Sequence, residues 1–166
     1  MRMMRATHLI PATAALAGAV LALGAAPSLA SGGGGRPVVQ GPLVGSMPAP
    51  ASPSIAGIRP GAAPWVNGPS RVRVHTDGRL AVTIRGLVIP PPVGTGTNPI
   101  ASVVATIVCD DVVGSSTAPF ALSAAGDGST STTVALPGEC ADAVVLVQPA
   151  GNRAVYIASA MDGGDD

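Results

Sequence analysis

Cys109, Asp110 and Asp111 stand together in TIVCDDVV (residues 106–113), where a thiol adjoins two carboxylates at the end of an apolar run. Such a group could supply metal ligands, a reactive thiolate, or a paired acid and base of the glycosidase kind. Each reading needs partners that the chain does not offer. Cys140 is the other cysteine, there is no C-x-x-C spacing, and the histidines are His8 and His75. A zinc site takes four ligands at suitable spacing. Neighbouring side chains on an extended backbone point apart, so Asp110 and Asp111 read as acids of a solvated turn. Asp127 in GDGST reads as another turn acid. The tail DGGDD, with Asp162, Asp165 and Asp166, lacks the D-x-[DN]-x-[DN]-G calcium loop and reads as an acidic terminus.

Other catalytic constellations are equally incomplete. GPSRV and GSSTA both miss the last glycine of G-x-S-x-G, and a Ser-His-Asp triad would have to recruit His75. GTGTNP is followed by a proline and a β-branched run, which cannot open the helix a dinucleotide fingerprint needs. All nine cationic side chains are arginines, so a Walker A lysine and Schiff-base chemistry are excluded. The expectation is a protein without catalytic residues, cofactor or metal.

The N-terminus explains why His8 is discounted. Arg2 and Arg5 precede the apolar run LIPATAALAGAVLAL (residues 9–23), and Ser28 and Ala30 occupy the small-residue positions of a cleavage site. This is the pattern of a secretory signal peptide over residues 1–30, cut between Ala30 and Ser31. The run is shorter than the ~20 residues of a membrane span, so no span is expected after cleavage. Nine arginines less the two in the leader leave seven against nine acids, a formal charge of −2. That balance gives no whole-protein argument for nucleic acid.

The exported chain divides by composition. Residues 31–70 hold nine Gly and eight Pro in forty positions, and residues 31–69 read as a flexible or extended linker. The part from Ile55 onward is expected to lie across the domain, with Trp65 read either as a surface anchor for a partner or, by preference, as a lid packed on the fold. Residues 70–161 then alternate with the period of strands, and residues 162–166 form the acidic tail. RVRVHT and RLAVTIR flank a turn as a half-buried hairpin. A three-residue loop, Thr76-Asp77-Gly78, places Val74 opposite Leu80 and Val72 opposite Val82, with Gly78 in the left-handed position. A two-residue loop would set apolar against polar residues. Further strands are expected at 101–109, 117–123, 129–136, 143–149 and 154–159. About seven short strands in roughly 90 residues predict an all-β antiparallel sandwich of immunoglobulin-like size.

Two placements follow from that arrangement. Cys109 ends one strand and Cys140 precedes another, and an even cysteine count in an oxidising compartment predicts one disulfide. Closing this loop would remove roughly 3.5 kcal/mol of denatured-state freedom. Arg71, Arg73, His75, Arg79 and Arg85 fall on one face of the first hairpin. They form either the wet side of a sheet or an anion-facing patch for an envelope polymer or an acidic secreted protein.

RVRV, DGRLAVTIRGLVIPP, NPIASVVATIVC, VALPGEC, VVLVQPAGN and VYIASA together resemble a group of small exported proteins of high-GC Gram-positive bacteria. The likeness covers residues 71–160. It implies secretion, a β fold and the Cys109–Cys140 pairing, and it carries no catalytic residues. The functional expectation is a secreted, non-enzymatic module with a structural or interaction role at or outside the envelope. The rivals are a carrier of a small apolar ligand and a secreted hydrolase built on His75.

Overall fold

The computed structural model describes residues 34–161, and these contain strands and turns with no helix. In chain order the strands are β1 (Pro37–Pro42), β2 (Val44–Gly45), β3 (Arg59–Pro60), β4 (Arg71–His75), β5 (Arg79–Ile84) and β6 (Ser102–Cys109). They continue as β7 (Val112–Ser116), β8 (Phe120–Ala121), β9 (Gly128–Thr133), β10 (Ala143–Pro149), β11 (Val155–Tyr156) and β12 (Ala158–Met161). Sheet A has the order β1-β4-β5-β9, and sheet B the order β2-β12-β10-β6-β7 with β8 also on β6. Both are antiparallel; β3 and β11 add a short parallel pair. The expected signal helix, its Ala30–Ser31 cleavage site and the tail 162–166 lie outside the described residues.

Alternation builds the layer between the sheets. Val72, Val74, Leu80, Val82 and Ile84 of sheet A face Val103, Ala105, Ile107, Val145 and Val147 of sheet B in one buried cluster. β6 is buried on both sides, which is why SVVATIVC is mostly apolar rather than alternating, with buried Thr106 hydrogen-bonded to Ser116 and Gln148. Its other face, with Val108, packs with Leu146 of β10 against Ile55, Ile58 and Tyr156. The Tyr156 hydroxyl donates to the Pro53 carbonyl at 2.6 Å, and burial raises its pKa above the ordinary 10.0.

The stretch expected as a linker is instead structural. From residue 34 it supplies β1, β2 and β3 and buries Val39, Leu43, Ile55, Ile58 and Trp65. Glycine and proline content misleads here because β1 is an edge strand. Its outer side needs no donors, and Pro37 and Pro42 sit at its ends. After β1 the chain leaves sheet A at Leu43 and enters sheet B as β2. Asn67 holds this crossing: its Nδ2 donates to the Leu43 carbonyl at 2.8 Å, and its Oδ1 accepts from the Gly45 amide at 2.6 Å. A Cβ on Gly45 would meet the Trp65 carbonyl oxygen, so only glycine fits.

The expected three-residue loop is present: Val74 pairs with Leu80 and Val72 with Val82, with Gly78 at φ 81°. β7 was not foreseen. Asp110 and Asp111, at φ 49° and 61°, form a two-residue turn that pairs Cys109 with Val112. This is the mirror-image turn that hairpins favour, in which aspartate is tolerated and β-branched residues are not. Asp111→Val should therefore lower unfolding free energy by about 1–2 kcal/mol in urea titrations, whereas Asp111→Gly should not lower it. Equal losses for both would contradict the turn assignment.

Candidate anion-binding face

The hairpin turn and the pleat turn one set of side chains outward from sheet A. The registers align them across the four strands in rows. Pro42, Arg71, Thr83 and Ser129 form the first row, and Gln40, Arg73, Ala81 and Ser131 the second. Arg79 and Thr133 pair in a third, beside His75. Two open grooves lie over these rows. One, of about 620 Å³, is lined by residues including Gln40, Pro42, Arg71, Arg73 and Thr83; the other, of about 590 Å³, by Arg73, His75, Arg79 and Ser131 among others. They adjoin at Arg73 and Ala81, and together they make up a trough over the outer face of sheet A.

Its charges are not equivalent. Arg79 Nε lies 2.9 Å from Asp77 Oδ2, an exposed pair of small energetic value. That is the one salt bridge among the described residues, so Arg71 and Arg73 have no carboxylate partner there. The Arg79 amide donates to Asp77 and holds its carboxyl below the usual 3.8, helped by the Gly35 amide and the nearby cations and opposed by partial desolvation. His75 Nδ1 is 2.7 Å from the Gly35 carbonyl. His75 thus helps seat the chain ahead of β1.

Among the five residues expected on this face, Arg71, Arg73, His75 and Arg79 line the trough. Arg85 lies past the end of β5, with its amide on Ser70 Oγ at 2.9 Å, and lines neither groove. Gln40, Thr83, Ser131 and Thr133 also line it and were not singled out from sequence. The alternation in STSTT held the signal for the β9 residues. Gln40 was hidden in the supposed linker.

The thiol reading of Cys109 ends in a disulfide to Cys140, with Cα atoms 5.2 Å apart. Beside it, Asp110 Oδ1 accepts from the Asp142 amide at 2.9 Å, which fastens the loop before β10 to the β6–β7 turn. The two grooves lie on the polar outer face, and the layer between the sheets is occupied by the buried core. No family model, curated protein or solved structure matches this chain.

Proposed function

We propose that the chain is an exported, non-enzymatic β-sandwich module whose sheet A face engages an anionic partner at or outside the cell envelope. The leader pattern and the disulfide support export, and no helix among the described residues is long and apolar enough to cross a membrane. The observation that carries the binding reading is the pair Arg71 and Arg73, which lack a carboxylate partner among the described residues and lie in an open trough. Arginine offers forked donors that match phosphate, sulfate or carboxylate.

Removal of residues 1–30 takes the formal charge from zero to −2, which makes the test clean. A chain of that charge is repelled as a whole by an anionic matrix, so retention reports a local patch. Protein taken from culture medium should be retained at low salt on a sulfated polysaccharide column. Arg71→Ser/Arg73→Ser should bind about 30-fold more weakly, at roughly 1 kcal/mol for each surface arginine. Identical elution of both proteins would remove the reading.

A further inference from the structure

We infer that the acidic segment 162–166 of this same chain lies on Arg71 and Arg73 and competes there with an external anion; this rests on the anion-binding reading above. β12 carries the chain to the place. Its register against β2 is Ala158↔Gly45 and Ser159↔Val44. Continued, that register sets Met161 level with Pro42, and β12 also lies beside β1. Pro42 pairs with Arg71 and Gln40 with Arg73, one strand in from the edge of sheet A, or about 5 Å. The five residues after Met161 can span up to about 17 Å. That is enough to pass round the edge of β1 and reach both arginines. Gly163 and Gly164, between Asp162 and the pair Asp165 and Asp166, allow the backbone the turn this path needs.

Charge favours the same course. Six of the nine acids are among the described residues, and none of those lines either groove. The other three are Asp162, Asp165 and Asp166. On the opposite flank of β12 the register Val144↔Met161 leads on to Asp142, whose amide is held by Asp110. Those like charges disfavour a path along β10. Arg71 and Arg73 have no carboxylate partner among the described residues, and a carboxylate matches the arginine fork.

The tether makes weak pairs effective. Exposed ion pairs contribute little one by one. A segment fastened a few residues away is held at an effective concentration in the millimolar range, so an external anion must displace it. The segment also sets the sign of the chain from residue 31 onward. Seven arginines stand against six acids without it and against nine with it.

The test compares two variants of equal net charge with the parent, all taken from culture medium. Asp165→Asn/Asp166→Asn removes two charges from the segment, and Asp111→Asn/Glu139→Gln removes two beside the disulfide. Without ligand, the amide NMR signals of Gln40, Arg71 and Arg73 should move in the first variant and stay fixed in the second. A sulfated oligosaccharide should bind the first about fourfold more tightly than the parent. The second should gain less than about twofold, because salt screens charges beyond about 8 Å. In an Arg71→Ser/Arg73→Ser background the first variant's gain should vanish. Equal gains from the two variants, or unmoved Arg71 and Arg73 signals, would overturn the inference. If the signals stay fixed while the oligosaccharide binds through Arg71 and Arg73, the inference fails and the binding face stands. If the signals move and no chain binds the oligosaccharide, the segment's seat on the arginines stands and the external partner fails. If neither responds, both fail.

Discussion

A chain that begins at Ser46, without β1 and β2, is expected to lose about 3–6 kcal/mol of unfolding free energy against one that begins at Gly34. Val39 and Leu43 are 0% and 1% exposed, and burying each such side chain contributes about 1.5–3 kcal/mol. Domains of this size are stable by only about 5–15 kcal/mol in total. The truncation also strips a partner from β4, whose ladder to β1 runs from Pro42↔Arg71 to Pro37↔His75. A newly bare edge invites pairing with other chains, so aggregation during refolding should accompany the loss. Leu43→Ala is the point-mutant counterpart, with an expected cost of about 2–5 kcal/mol. Urea melts that superimpose for the two chain lengths would return residues 34–45 to the status of a linker.

Loss of the disulfide should be nearly as severe. Cys109 and Cys140 are 31 residues apart, and cutting a loop of that size costs about 3.5 kcal/mol in the chain-entropy account. For a domain between the 100- and 150-residue classes that corresponds to a melting point lower by roughly 10–15 °C. The bond ties the end of β6 to the loop ahead of β10, which Asp110 already holds through the Asp142 amide and carbonyl. Those hydrogen bonds preserve the local geometry but do not constrain the unfolded chain. Cys109→Ala/Cys140→Ala, or the native protein melted in reductant, should therefore show the deficit. A deficit below about 1 kcal/mol would mean that the loop is already closed in the denatured state.

Much of this architecture was legible in the residues, for identifiable reasons. Val72, Val74, Leu80 and Val82 alternate with arginines, so one register alone keeps both faces consistent, and that register is the one found. Cys109 ends β6 and Cys140 lies in the loop ahead of β10, in a chain with no third cysteine, and they are bonded. What stayed hidden depends on long-range context. β1 and β2 have a composition that fails alone and succeeds beside β4 and β12, which supply the missing hydrogen-bond partners. VVGSS looked like the far side of a wet turn because two aspartates at positive φ are a weak hairpin signal beside Asp-Gly. The arginine face was visible as a stripe on one hairpin. The serines and threonines of β9 were not, because β9 lies some fifty residues further along and only its pairing with β5 brings Ser129, Ser131 and Thr133 onto the same face.

The most direct test of the central claim, that the outer face of sheet A is the binding surface, is a map of backbone amide NMR shifts. The spectra would be recorded while a sulfated oligosaccharide is titrated into the protein. Arg71, Arg73, Arg79, Ala81 and Ser131 should move together with one saturation curve, while the amides of β7 and β12 stay fixed. Perturbations centred on sheet B, or none at concentrations where the column retains the protein, would contradict it.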